Sequence, residues 1–120
     1  MPNSSLWVPL HALAHGRTGD KDNDVNISVC AFKPSYFPFI ESQVTEERVR
    51  EHFAFRSPTA VERFTISQIG ALNLVIRGVL GGGVTDSLYL DPHGKTLAFH
   101  LLEMPVLVPE GIAQEIVDAS

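Results

Sequence analysis

A decapeptide from Arg17 to Asn26, Arg-Thr-Gly-Asp-Lys-Asp-Asn-Asp-Val-Asn, does most to restrict what this chain can become. It packs three acids, two bases, two amides and a glycine between two apolar runs of strand character, Leu6 to Ala14 and Ile27 to Phe32. A polar segment between core strands reads as a connecting loop. This one is longer and more charged than a turn requires, so the polar loop 17–26 is the candidate site.

The chain around it reads as alternating strands and helices. Over 6–15, Leu6, Val8, Leu10, Ala12 and Ala14 share one strand face, and Trp7, Pro9, His11, Leu13 and His15 the other. Pro9 has no N–H to give, which puts that strand at a sheet edge. The second face is also partly apolar, so a helix layer or another subunit should cover it. Asn26 to Phe32 forms a second strand, with Ile27, Val29 and Ala31 alternating against Ser28 and Cys30. Ser35 to Gln43 reads as a short helical turn packing its aromatics, because Pro38 interrupts a regular helix. A helix starts at Thr45, its cap, with Glu46 and Glu47 at the positive end of the dipole. Val44 and Val49 stand at the staple positions, and Val49 and Phe53 face the core.

Ala60 to Ile66 is a short strand. The stripe Ile69, Leu72, Ile76, Val79 and Leu80 predicts the main helix, about 68–80, stopped by Gly81-Gly82-Gly83. A hairpin is expected at about 87–103, turning at Asp91-Pro92-His93-Gly94-Lys95, with Leu97, Phe99 and Leu101 on one face of the return strand. Met104 to Val108 extends the hairpin or forms another strand, and Ile112 to Val117 closes as a short helix. The expected class is α+β, a mainly antiparallel sheet with helices packed on one face. No repeat or linker divides the chain, so its 120 residues read as one domain, 1–120.

Composition narrows the function classes. At 44% hydrophobic and 19% charged the chain is globular rather than disordered. A net charge of -5 argues against a nucleic-acid partner, since phosphate neutralisation needs clustered Lys and Arg. No apolar stretch of about 18 residues exists to span a membrane, and the first residues lack the pattern of a signal peptide. Cys30 is the only cysteine; it excludes an internal disulfide and reads as a small core residue. These features together point to the cytoplasm.

Within the polar loop, Arg17 and Lys21 can meet an anion such as a carboxylate or phosphate, Arg17 with a bidentate fork. The alternative is structural: Arg17 and Asp20 pair to shape the loop while Asn23 and Asn26 cap backbone groups. Asp20, Asp22 and Asp24 alternate, but the glycine and closing glutamate of a calcium loop are missing. Asn73 stands in the otherwise apolar main helix, where a buried amide needs partners, and it can reach the polar stretch or a ligand. His11 and His15 lie roughly 13 Å apart along a strand, too far for one metal. Gly81-Gly82-Gly83 is not followed by the Lys-Ser/Thr pair of a phosphate loop. No metal site and no cofactor is expected.

Arg17-Thr18-Gly19-Asp20-Lys21, followed by Asn23 and Asn26, resembles the signature of the acyclic terpene utilisation protein A (AtuA) family in its C-terminal region. Ala71-Leu72-Asn73, Gly82-Gly83-Val84, Gly94-Lys95 and Met104-Pro105 follow in the same order as in that region. The resemblance runs from about Leu10 to Pro109 and implies a ferredoxin-like fold. Asp22 stands where the family has glycine, and Asp is among the residues that best tolerate a positive φ. The resemblance also implies a context in bacterial catabolism of acyclic terpenes and acyl-CoA compounds. It implies a partner chain resembling the large N-terminal domain of the longer family members.

Three functions compete at this point. The leading one is a domain that binds an anionic small molecule, an acyl-CoA or a partner protein. There Arg17 and Lys21 meet the negative group, Asp20 orients them, and Thr18, Asn23, Asn26 and Asn73 shape the pocket. The second is a small hydratase- or isomerase-type enzyme in which Asp20 and Lys21 are the catalytic acid/base pair, which needs burial to tune one of them. The third is a homo-oligomeric structural module, with Trp7, Leu13 and the Phe-rich segment near Pro38 as its interface.

Overall fold

The computed structural model describes residues 5–21, 24–79 and 93–119. Strands β2 (Ala14–Lys21), β3 (Asp24–Ala31), β4 (Ala60–Ile66) and β5 (Ala71–Arg77) form one antiparallel sheet in the order β2-β3-β5-β4. A second, two-stranded antiparallel sheet pairs β1 (Ser5–Pro9) with β6 (Pro105–Pro109). Helices α1 (Phe37–Gln43), α2 (Glu46–His52), α3 (His93–Leu102) and α4 (Glu110–Ala119) complete the α+β architecture.

The core is set by strand alternation. Val25, Ile27 and Val29 on β3 are fully buried, as are Leu72, Leu74 and Ile76 on β5. The register pairs them directly, Val25 with Ile76, Ile27 with Leu74 and Val29 with Leu72. Each such side chain contributes about 1.5–3 kcal/mol on leaving water. Helix α3 lies over β2 and β3, and α2 lies beside β4. Leu97 and Leu101 of α3 and Val49 of α2 enter the same core.

Helix α2 forms as its residues dictate. Thr45 Oγ1 accepts the Arg48 N–H at 3.1 Å, and Val44 and Val49 are both fully buried. Gln43, at the end of α1, clamps β6: its Nε2 donates to the Leu107 carbonyl and its Oε1 accepts the Leu107 N–H, both at 2.7 Å. A side-chain amide therefore stands where a third strand would pair.

Four expectations change. The strand over 6–15 is broken by a 3₁₀ turn at Leu10–Ala12, and its halves join different sheets. The turn shifts the alternation, so Leu13 is fully buried while Trp7 is 62% exposed. The polar loop 17–26 is largely the two arms of the β2–β3 hairpin, with Gly19 opposite Asn26 and Lys21 opposite Asp24. The main helix expected at about 68–80 is instead a 3₁₀ turn at Ser67–Ile69, then Gly70 at φ 64°, then β5. Its apolar residues satisfy both periods. Hydrogen-bonding partners on both sides, β3 and β4, make it the strand that two other strands require.

The return strand of the hairpin expected at about 87–103 is helix α3. Leu97, Ala98 and Leu101 are buried while Phe99 is 62% exposed, the i, i+1, i+4 pattern of a helix face. Its outgoing strand and the Gly81-Gly82-Gly83 stop lie outside the described residues.

Candidate functional site

With Val25, Ile27, Val29, Leu72, Leu74 and Ile76 turned to the core, the alternate positions of the same strands make the sheet's other face. Register stacks them in rows across four strands. One row is Arg17, Ser28, Asn73 and Phe64; the next toward the hairpin tip is Gly19, Asn26, Val75 and Glu62. A third, on the other side, is His15, Cys30, Ala71 and Ile66. Cys30, expected in the core, therefore sits half-buried on the outer face opposite His15.

A groove of about 550 Å³ lies on this face at the hairpin, lined by Arg17, Thr18, Gly19, Asp24, Val25, Asn26, Ser28, Val75 and Arg77. Its polar groups differ in commitment. Arg77 is held on both sides, by Asp24 at 3.1 Å and by Glu62 at 3.0 Å. The Glu62 hydrogen bond, then the charges of Glu62 and Asp24, raise its pKa above the ordinary arginine value. Asp24 also accepts the Gly78 N–H at 2.9 Å, which ties the end of β5 to the start of β3. Arg17, by contrast, is exposed and forms no side-chain hydrogen bond or ion pair with a described residue. Ser28 Oγ donates to Asn73 Oδ1 at 3.2 Å, so the serine proton is spent and both amide N–H bonds of Asn73 stay available.

Of the expected site residues, the fold brings Arg17, Thr18 and Asn26 to one groove and sets Asn73 beside it through Ser28. Asp20 and Lys21 are in β2, opposite Val25 and Asp24 respectively, and their side chains lie outside the described set. Asn23 lies outside the described residues. Ser28, Val75 and Arg77 were not expected. The signal for Ser28 was its alternation with Ile27 and Val29; Val75 and Arg77 needed β5 to be read as a strand.

The far side of the face is apolar and open: Phe64 is 52% exposed and Ile66 43%. Among the described residues no group of three or more His, Cys, Asp or Glu side chains could hold a metal ion. No described helix is long and apolar enough to cross a membrane.

No curated protein and no solved structure matches this sequence significantly. The family model of the AtuA ferredoxin-like domain matches residues 8–107, which takes in β2 and β3 of the hairpin, the whole outer face and α3. The chain belongs to the AtuA ferredoxin-like domain family.

Proposed function

We propose that this domain binds an organic anion with an apolar portion, such as an acyl carboxylate or acyl-CoA, on the outer face of its four-stranded sheet. It would serve bacterial acyl-CoA or terpenoid catabolism as an accessory, ligand-binding component. The observation that carries the reading is the row Arg17–Ser28–Asn73–Phe64. It sets a cation without a described partner, two amide N–H donors and an open aromatic ring in line across four strands, roughly 14 Å from end to end. Arg17 would take the anionic group by its fork, Asn73 would donate to a neighbouring oxygen, and Phe64 would cover the apolar part. Arg77 is already neutralised by Asp24 and Glu62, so it would border the site rather than bind charge.

The test is a thermal-shift series against acyl-CoAs, CoA, free carboxylates and inorganic phosphate. A ligand at a hundredfold its dissociation constant stabilises by about 2.7 kcal/mol. The shift should vanish in Arg17→Ala while the unliganded midpoint stays within a degree or two. Shifts that survive Arg17→Ala would remove this site from consideration.

A second reading assigns the same face to a protein partner, a second copy or a chain resembling the larger AtuA domain. The exposed Phe64 and Ile66 favour it. Sedimentation over a hundredfold concentration range distinguishes the two, since a monomer throughout with a ligand-dependent shift supports only the first.

A further inference from the structure

The strongest arrangement outside the sheet face joins two histidines that are 48 residues apart. His52 is the last residue of α2, and His100 lies in the last turn of α3. Each ring reaches the other's backbone. His52 Nε2 is 2.7 Å from the His100 carbonyl, and His100 Nε2 is 2.8 Å from the His52 carbonyl. The rings stack with centroids 4.1 Å apart and planes 17° from parallel. Phe53 and Phe55 stand nearly perpendicular to the His100 ring, with centroids 5.1 and 4.9 Å away.

The chemistry of this exchange is fixed by the acceptors. A carbonyl oxygen only accepts, so each Nε2 must carry a hydrogen, and in the neutral pair each Nδ1 is left bare. The last carbonyls of a helix lack the usual partner within it; the His100 carbonyl already accepts the Glu103 N–H at 3.1 Å, and each histidine adds a side-chain cap to the other's helix. Added protons must enter at Nδ1. Glu103 lies 3.9 Å from His100 Nδ1 and can meet one charge. A second charge would face the first across 4.1 Å between aromatic walls.

We propose that His52 and His100 form a pH-sensitive clasp that holds α3 to α2 while the pair carries at most one added proton, at Nδ1, and loosens when it carries two. The charged groups around it act in both directions. Arg48, one turn earlier on α2, opposes a charge on His52, and Glu103 favours one. Arg56, in the turn after α2, is committed to the Val79 carbonyl. The negative ends of the two helices favour a cation, but burial dominates and lowers the His52 pKa below 6.5. A histidine whose folded pKa is depressed adds stability that is complete above its unfolded pKa of 6.5 and lost as pH falls through the folded value. What loosens is defined by packing: the Leu102 side chain lies 3.6 Å from where a Cβ at Gly16 would stand, so α3 backs the strand that carries Arg17. The proposal is independent of any ligand on the sheet face.

The test is a titration of the intact protein from pH 8 to 4.5 by NMR, following the histidine ring nitrogens and the amides of 97–102 together. His52 should show the Nε2–H tautomer at neutral pH and a midpoint below 6.5. The α3 amides should shift with that midpoint and exchange at least ~10-fold faster below it, after correction for intrinsic pH dependence. In His52→Gln, whose amide can still donate to the carbonyl but does not titrate, that response should disappear. Amides that ignore the His52 midpoint in the wild-type protein, or a His52→Gln variant that keeps the wild-type response, would overturn the clasp. The wild-type titration decides the matter alone if the variant does not fold.

Discussion

Ser28 and Asn73 face each other across β3 and β5, and the serine hydroxyl donates to the amide oxygen at 3.2 Å. Both are half-buried on the outer sheet face, where nothing in the core needs them. Asn73→Ala should therefore cost about 0.5–1.5 kcal/mol by chemical denaturation, the net value of one ordinary hydrogen bond. The proposed ligand site gives a second readout: anion affinity should fall in Asn73→Ala by more than in Ser28→Ala, because only the amide has donors to spare. Equal effects would make the pair a structural bridge alone.

The Gln43 clamp on Leu107 is a stricter test of the fold. Two hydrogen bonds of 2.7 Å stand in for a missing strand at the β6 edge. Gln43→Ala leaves a backbone N–H and C=O without their partner, and each group so stranded costs about 1–3 kcal/mol where water cannot reach it. A fall of about 2 kcal/mol in unfolding free energy is expected. Gln43→Glu should recover little at neutral pH, since a carboxylate accepts from the N–H but cannot donate to the carbonyl.

Gly78 ends β5 at φ 81°, and a Cβ there would lie 2.9 Å from Thr59 Oγ1. Conformation and contact both oppose a side chain. Gly78→Ala should destabilise by about 1–3 kcal/mol, the usual range for a strained backbone position. Adding Thr59→Ala removes the collision but not the φ penalty, so it should restore only part of the loss in a double-mutant cycle.

At the start of α2, Thr45 accepts the Arg48 N–H. Thr45→Ala should cost about 1 kcal/mol, and Thr45→Ser very little, since serine keeps the capping oxygen. Thermal denaturation of the two variants side by side checks this.

Local signals were legible where a single neighbourhood decides the structure. Thr45, with Glu46 and Glu47 behind it, starts α2 as its residues require. Ala60–Ile66 is the strand its composition suggests. The motif in the hairpin led to the family, and the hairpin does line a groove. What the motif could not convey was its shape. Arg17 and Asn26 looked like loop residues because they are polar, yet strands that border water on one face carry polar residues at every second position.

Sequence alone determined the α+β class, the amphipathic start of α2, the family and the polar character of the hairpin. Tertiary structure decided the state of 71–77 and 97–102. In the first, Leu72, Leu74 and Ile76 also read as one side of a helix, and only two neighbouring strands with open hydrogen bonds made them a strand. In the second, a run that alternates on paper became a helix because Leu97, Ala98 and Leu101 could be buried together against β2 and β3. Short apolar segments satisfy both periods nearly equally, so their intrinsic preferences differ by less than the burial and hydrogen bonding that distant partners supply. For the same reason the row Arg17–Ser28–Asn73–Phe64 is invisible along the chain: it exists only once three strand pairings have set the register.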